Sequence, residues 1–225
     1  MTPLREAIAK GQAALTEHAA KQFLAGHGIP VPRETLAPDP DAAAAAASRL
    51  GFPVALKASG IGVQHKTEIG GVALNLRSAE EVRQEGRRLA ALPGYEGLLV
   101  AEMVRGNREL ACGLIRDPQF GPCVMFGLGG ILTEALADAV FRVAPLTRPD
   151  ALEMLQEIRS VKLLGAFRGE APANPEALAA ILVTLGGIGM RHPEIREIDL
   201  NPVTIRADGT PVALDALIAL APPSA

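Results

Sequence analysis

The closing stretch of the chain carries three oxygen-bearing side chains within an otherwise apolar pattern. Asp199 and Asn201 lie two residues apart in EIDLNP, and Asp215 lies in VALDAL. Because side chains alternate between the two faces of a strand, Asp199 and Asn201 are expected on the same face. A turn at residues 207–209 predicts a hairpin, which would place Asp215 on the partner strand opposite them. Carboxylate and amide oxygens suit Mg²⁺, which often shares its coordination with nucleotide phosphates; the alternative is three solvent-facing strand positions.

Charged side chains also interrupt three other apolar runs. Lys57 stands in VALKAS, Glu102 in VAEMV and Glu109 in REL. A buried lysine needs a compensating anion, which a phosphate would provide; alternatively, Lys57 reaches solvent from a strand end. The two glutamates either belong to the same site as Lys57 or simply pair with Arg105 or Arg108.

The segment HKTEIGG, residues 65–71, places a histidine directly beside a lysine and ahead of two glycines. An imidazole is a competent nucleophile, and the ammonium of Lys66 would stabilise phosphate charge. Gly70 and Gly71 would let the backbone approach a phosphate closely. The alternative is an ordinary loop in which His65 caps a strand and Lys66 is solvated, and the segment taken alone favours this loop.

The elements that must position these residues follow from local signals. Helix starts are indicated by Thr16, by Ser78 with Glu81, and by Pro149 and Pro175, and an alanine-rich run predicts a further short helix. Helices and strands are mixed and the strands cluster, which favours an α+β fold over a repeating βαβ unit. Before the closing hairpin, strands are predicted at 53–59, 70–76, 97–104, 108–117 and 121–130.

Composition excludes several classes of protein. The chain of 225 residues is 48% apolar and 21% charged with a net charge of -3, which argues against disorder. Without a basic run, and with 3% aromatic residues, it is not expected to bind nucleic acid. No signal peptide and no membrane-spanning run is predicted, so we expect a cytoplasmic protein without membrane partners. Cys112 and Cys123 are expected as buried free thiols, although a disulfide between them stays open.

The motifs in their order resemble a known family. LKASG, HKTEIGGV, EMVRGNREL, DPQFGPCVMFGLGG, LLGAFRG and EIDLNP…LDA are similar to the ATP-grasp β subunit of ADP-forming acyl-CoA synthetases, which is related to the succinyl-CoA synthetase β subunit. The resemblance runs from about Thr16 to Leu220. It implies an ATP-grasp fold in which two α+β lobes clamp a nucleotide. One lobe would comprise residues 20–102, and the other residues 1–19 and 103–225.

The resemblance also implies ATP or ADP and Mg²⁺ as ligands. Asn201 and Asp215 would bind the metal, with Asp199 beside them as a further ligand or catalytic carboxylate. The nucleotide contacts implied are Lys57, Ser59 and Gly60 at the phosphates, Glu102, Met103 and Val104 at the adenine, and Glu109 at the ribose.

The family reaction converts acyl-CoA, ADP and phosphate to a carboxylic acid, CoA and ATP through phosphohistidine. By resemblance, His65 would carry phosphate between the nucleotide and a CoA-binding α subunit with its own phosphohistidine. This chain has no CoA-binding domain, so we expect a hetero-oligomer that is inactive without that partner. Two alternatives stay open: an ATP-binding regulatory module without turnover, and a stand-alone ATP-grasp carboxylate ligase. The sequence names neither the acid nor the preference between ATP and GTP.

Overall fold

The computed structural model describes residues 2–60, 70–130, 136–166 and 169–221, and these form two compact units. The smaller unit is Pro32–Met103, and the larger unit combines Met1–Val31 with Val104–Ala225. The smaller unit ends at Met103, one residue after the predicted end at residue 102. It begins later than the predicted residue 20, because the helix that begins at Glu17 buries Phe23 and Leu24 in the core of the larger unit.

Within the described residues, helices and strands alternate irregularly along the chain. The helices are α1 (Pro3–Ala9), α2 (Glu17–Ala25), α3 (Pro40–Leu50), α4 (Ala79–Ala90), α5 (Arg148–Glu157) and α6 (Pro175–Arg191). The strands are β1 (Glu34–Ala37), β2 (Val54–Ser59), β3 (Val72–Leu76), β4 (Gly97–Glu102), β5 (Arg108–Asp117), β6 (Gly121–Leu128), β7 (Ala139–Val143), β8 (Ile195–Ile205), β9 (Pro211–Ala213) and β10 (Leu217–Leu220).

Side-chain caps explain where the predicted helices begin. The hydroxyl of Thr16 accepts from the backbone N–H of Ala19, and that of Ser78 accepts from the N–H of Glu81. Each contact satisfies one of the N–H groups that the first turn of a helix leaves without a partner. Prolines at the first turns of α5 and α6 occupy positions where no N–H is needed. The helices predicted from these signals are confirmed, whereas α1 was not predicted.

The smaller unit contains a four-stranded antiparallel sheet with the order β1-β4-β2-β3, counted over its described residues. Helices α3 and α4 pack against this sheet, and α3 contributes buried alanines such as Ala43 and Ala47. The core also contains Leu56 and Val100 from the two central strands. Small residues on α3 let the helix approach the sheet closely.

The larger unit is built on an antiparallel sheet whose described strands run β10-β8-β5-β6-β7, with β9 paired to the far end of β8. One face packs against α5 and α6, and its core includes Leu114, Phe126 and Ile198. The opposite face carries exposed apolar side chains, among them Ile115 and Phe141. The α+β class and the predicted strands are confirmed. The closing stretch forms three strands instead of a simple hairpin, because β8 pairs with both β9 and β10 at different points along its length.

Two further expectations are tested by the fold. Cys112 and Cys123 are both buried and free, so no disulfide joins them. None of the helices in the described part of the chain is long and apolar enough to cross a membrane.

Candidate functional site

The exposed face of the larger sheet holds a cleft of about 630 Å³. Asp199 on β8 stands beside Gly113 on β5, and Gly113 stands beside Met125 on β6. Because Gly113 has no side chain, the space between the carboxylate and the apolar residues remains open. Glu197 and Asn201, two residues to either side of Asp199, line the same cleft, as the alternation of strand side chains requires. The same-face prediction for Asp199 and Asn201 is therefore confirmed.

Two other carboxylates act on the carboxyl group of Asp199. Burial, and after it the negative charges of Glu197 and Asp215, together raise the pKa of Asp199 to about 6. Both causes disfavour the charged form of the acid. A cation bound here would relieve this repulsion, so the electrostatics of the site favour a positively charged ligand.

Asn201 is held in place by a glycine of the GLGG stretch. The N–H of Gly130 donates to Oδ1 of Asn201 at 2.9 Å. Gly130 has a φ of +69°, and a Cβ there would overlap the carboxylate of Glu109 on β5. Glycine is thus needed at this position both for the left-handed backbone and for the close approach. The arrangement brings Glu109 and Asn201 to the two sides of Gly130.

Asp215 does not lie on a strand opposite Asp199, and this part of the prediction was wrong. It lies in the connection between β9 and β10, because β9 pairs with Val203–Ile205 and β10 pairs farther back along β8, so the chain must cross between the two. Leu217, which follows the connection, pairs with Asp199. Oδ1 of Asp215 accepts from the N–H of Ala216 at 2.8 Å, which orients the carboxylate.

The donor set fits Mg²⁺ in kind. Asn201 and Asp215 would supply an amide and a carboxylate oxygen, and Asp199 would be a second carboxylate beside them. In the described part of the chain, no group of three His, Cys, Asp or Glu residues converges closely enough to hold a metal by itself. An ion held by one or two carboxylates would complete its shell with water and nucleotide phosphates.

The residues proposed for nucleotide phosphates lie in the smaller unit. Lys57 is half-buried on β2, between Val72 on β3 and Leu99 on β4. Ser59 ends the strand and is 4% exposed, and its carbonyl accepts from the N–H of Glu96 at 2.8 Å. Gly60 follows at a point where a Cβ would overlap the carbonyl oxygen of Gly94. The backbone after β2 is therefore held tightly against the turn that precedes β4.

Glu102 ends β4 and is paired with Arg33. Nε of Arg33 donates to Oε2 of Glu102 at 2.8 Å, and its backbone N–H donates to Oε1 at 3.2 Å. Arg108 is instead buried and lies 3.3 Å from Glu170. Met103 and Val104, both half-buried, follow Glu102, and the boundary between the two units falls between them.

His65 belongs to residues 61–69, which lie outside the described part of the chain. The proposed phosphate carrier therefore remains a prediction. Its flanks are described: Gly60 before it, and Gly70 after it, whose carbonyl accepts from the guanidinium of Arg88 on α4 at 2.7 Å. Each flank is held by a hydrogen-bonded contact within the smaller unit.

Sequence reasoning missed two participants in the cleft. Glu197 precedes Asp199 by two residues, and the same alternation that linked Asp199 with Asn201 predicts that it shares their face. Gly130 was included at the end of the predicted strand 121–130 without a role of its own, and its contact with Asn201 spans 71 positions of sequence. A local pattern therefore identifies Glu197 but not Gly130.

Comparison with known proteins places these features in a family. A family model described as an ATP-grasp domain matches residues 6–220. The β subunit of acetate–CoA ligase (ADP-forming) I of Pyrococcus furiosus is 42% identical over 226 residues, which cover 96% of this chain and 97% of that one. The 4-hydroxybutyrate–CoA ligase (ADP-forming) of Nitrosopumilus maritimus is 35% identical, and the match covers 87% of this chain and 29% of that longer protein.

Solved structures agree with this similarity. The dinucleotide-forming acetyl-coenzyme A synthetase 1 of Ca. Korarchaeum cryptofilum, in complex with coenzyme A and Ca-AMPCP, superposes with a TM-score of 0.92 at 44% identity and covers 97% of this chain and 98% of its own. A second structure of that protein, with coenzyme A and Mg-AMPPCP, has a TM-score of 0.87 at 43% identity with the same coverage. Its phosphohistidine segment points towards the nucleotide-binding site.

Proposed function

Since this chain belongs to the ATP-grasp family, and within it to the β subunits of ADP-forming acetate–CoA ligases, we propose that it is the nucleotide-binding subunit of an ADP-forming acyl-CoA synthetase. The reaction converts acyl-CoA, ADP and phosphate to a carboxylic acid, CoA and ATP, and it is reversible. The observation that carries the proposal is the cleft on the larger sheet, where Asp199, Asn201 and Glu197 meet in a chain whose fold is that of nucleotide-binding relatives.

In the larger unit, Asn201 and Asp215 would hold Mg²⁺. When bound, Mg²⁺ neutralises phosphate charge and orients the phosphates for transfer. Asp199 would stand beside this pair as a further ligand or as a catalytic carboxylate, and Glu109 would accept hydrogen bonds from ribose hydroxyls. The hydrogen bond from Gly130 to Asn201 supports these separate roles for metal and ribose, because it holds Asn201 close to Glu109.

In the smaller unit, Lys57 would donate charge-assisted hydrogen bonds to nucleotide phosphates, and the Ser59–Gly60 loop would cover them with backbone N–H groups. Glu102, with the backbone of Met103 and of Val104 beyond the boundary of the unit, would contact the adenine. The carboxylate of Glu102 only accepts hydrogen bonds, which suits the exocyclic amino group of adenine and not the carbonyl of guanine.

His65 would connect the two halves of the reaction. A phosphoryl group on a histidine of the partner would pass to the imidazole nitrogen of His65, which frees the partner histidine, and then to the β-phosphate of ADP, which restores His65 and forms ATP. The phosphohistidine segment in the Korarchaeum cryptofilum protein supports such a carrier in this family.

The partner would be a CoA-binding α subunit. The Pyrococcus furiosus relative is named as a β subunit, while longer relatives such as the 4-hydroxybutyrate–CoA ligase contain the matching region as 29% of one chain. The acid would be selected by that partner, because the proposed sites of this chain address the nucleotide and the metal.

Reconstitution tests the proposal. Purified alone, the chain should bind Mg-ADP in calorimetry but form no ATP from acetyl-CoA, ADP and phosphate. Addition of the α subunit of the Pyrococcus furiosus relative, or of the chain's own CoA-binding partner obtained by co-purification, should restore ATP formation. Robust ATP formation by the isolated chain would contradict the subunit assignment, and absence of Mg-ADP binding would contradict the nucleotide site.

A further inference from the structure

Helix α2 carries an ion pair whose two side chains are both buried. Glu17 and Lys21 are one helical turn apart, with Nζ of Lys21 2.7 Å from Oε1 of Glu17. Their side chains are 2% and 1% exposed, whereas in the comparable pair of Glu80 and Arg83 on α4 the side chains are 75% and 36% exposed. A pair as deep as Glu17–Lys21 requires removal of both charges from water.

Stability alone does not account for this pair. The cost of desolvating two charges is large, and apolar residues of similar volume often stabilise a fold equally well or better. Helix α2 already contributes Ala20, Phe23 and Leu24 to the core of the larger unit. The charges therefore call for a role that an apolar pair would not perform.

The ammonium of Lys21 reaches one particular backbone group. It donates to the carbonyl oxygen of Leu214 at 3.3 Å, across 193 positions of sequence. Leu214 opens the connection between β9 and β10, and the next residue is Asp215, a proposed metal ligand. Glu17 also contacts this ammonium, at 2.7 Å, so the position of Lys21 is itself fixed.

The same connection is tied to the other proposed ligand. The N–H of Leu214 donates to the carbonyl of Pro202 at 2.9 Å, and Pro202 directly follows Asn201. The N–H of Ala213 donates to the carbonyl of Pro30 at 2.9 Å, in the segment that follows α2. Leu214 is thus bonded through its N–H to the strand that carries one ligand and through its carbonyl to Lys21. The chain has little freedom at the residue before Asp215.

We propose that Lys21, held by Glu17, is a positioning residue for the metal site: it fixes the Leu214 carbonyl and so directs the Asp215 carboxylate towards the ion that Asn201 shares. The proposal rests on the proposed function, since it takes Asn201 and Asp215 as the metal ligands. A side chain without an N–H donor at position 21 would leave Asp215 attached to a looser connection. The ion would then bind more weakly although both ligands are still present.

The decisive variant removes both charges together, so that neither is left buried alone. Glu17→Leu/Lys21→Met is expected to keep a melting temperature near that of the wild type. In the full chain with saturating ADP, titration of Mn²⁺ followed by electron paramagnetic resonance should show about 10-fold weaker metal binding, at the lower end of the loss seen when supporting groups around a metal site are removed. Hydrogen exchange without metal should be faster at residues 213–216.

Two further variants make the result specific. Glu17→Gln/Lys21→Gln keeps an N–H donor without charges, and it should recover part of the Mn²⁺ affinity. Glu80→Gln/Arg83→Met, on the exposed pair of α4, should change neither Mn²⁺ binding nor exchange at residues 213–216. If the Leu/Met pair does not fold, Glu17→Gln/Lys21→Met removes the donor from position 21 while position 17 stays polar, and it is measured in the same way.

The outcomes separate the two proposals. A folded donor-less variant with wild-type Mn²⁺ affinity would overturn the role of Lys21. If Asp215→Asn weakens Mn²⁺ binding in the same assay, the metal site itself stands and only the positioning role is lost. If Asp215→Asn also leaves Mn²⁺ binding unchanged, the metal ligands of the proposed function are wrong.

Discussion

The two units hold their candidate site residues in different ways. In the larger unit, Asn201 and Asp215 are each oriented by a backbone N–H, from Gly130 and Ala216 respectively. In the smaller unit, Glu102 accepts from the backbone N–H of Arg33 and also from its side chain, which is 70% exposed. The proposed carrier His65 follows β2 and precedes β3 in sequence. The proposed metal ligands of the larger unit are thus oriented by neighbouring backbone groups, whereas Glu102 in the smaller unit also depends on an exposed side chain. The proposed carrier belongs to residues outside the described part of the chain.

Substitution of the carrier should have the largest effect. In the complex with the α subunit, His65→Gln should lower turnover by about 10³-fold or more, because the amide keeps hydrogen bonding but offers no nucleophile. Mg-ADP affinity in calorimetry should stay close to that of the wild type. His18→Gln, on α2, is the matched control and should turn over normally. Near-normal turnover of His65→Gln would show that His65 is an ordinary loop residue and that the smaller unit does not supply a phosphate carrier.

The fixed site should be the next most sensitive. Asp215→Asn should raise the Mg²⁺ concentration required for ATP formation by about 100-fold, since a hard anionic ligand becomes a neutral amide. Asp208→Asn is the matched control: Asp208 lies in the nearby turn, where its carboxylate accepts from the N–H of Thr210. An unchanged magnesium requirement for Asp215→Asn would make Asp215 a structural residue.

In the smaller unit, Lys57→Ala should weaken ADP binding. Charge-assisted hydrogen bonds are worth about 1.5–3 kcal/mol each, so the dissociation constant should rise about 10- to 100-fold. Calorimetry on the isolated chain measures this directly, and Lys10→Ala, an exposed lysine just beyond α1, should bind ADP like the wild type. Equal affinities for wild type and Lys57→Ala would remove Lys57 from the phosphate site.

The smallest effect concerns stability, and it tests whether backbone contacts fix polar groups elsewhere in the larger unit. Asp138 is buried, and its two oxygens accept from the N–H groups of Arg159 and Ser160, each at 2.8 Å. Burial acts to raise the pKa of Asp138, but the nearby side chain of Ser160, the two backbone hydrogen bonds and the charge of Arg159 lower it below its ordinary value. Its contribution is therefore complete above the unfolded pKa of about 3.9 and is lost as the pH falls through the folded pKa.

Urea unfolding at two pH values measures this contribution. At pH 6, Asp138→Asn should lower the free energy of unfolding by about 1–2 kcal/mol, because one charged acceptor becomes an amide. As the pH falls from 5 to 3, the wild type should lose more stability than the variant. Parallel losses in the two proteins would show that Asp138 does not contribute through its charge.

Much of this arrangement is visible in the sequence, and the exceptions have physical reasons. Capping residues such as Thr16 and Ser78 act over three positions, so a local pattern identifies them. The shared face of Asp199 and Asn201 follows from strand alternation alone. The position of Asp215 was missed because the register of β10 on β8 depends on pairing far along the chain, which a turn signal does not encode.

Long-range contacts explain the remaining gaps. Arg33 precedes Glu102 by 69 positions, and Gly130 precedes Asn201 by 71. No periodicity connects residues so far apart, and a glycine pair reads locally as a turn. The start of the smaller unit, later than predicted, has a similar origin. Helix α2 belongs to the larger unit because its side chains pack into that core, which its own sequence does not reveal.

The order in which the larger unit is assembled along the chain has a consequence for protein synthesis. Its sheet is closed by β10, which pairs with β8 and is joined by backbone contacts to the region before α2: the N–H of Leu15 donates to Ile218, and that of Leu220 donates to Ala13. The smaller unit is a continuous segment that leaves the ribosome early, and domains generally fold as units during translation. Residues 1–31 of the larger unit must instead wait for β10 before their backbone contacts with it can form. A nascent chain would therefore be unable to complete the proposed metal site before β10 has been synthesised.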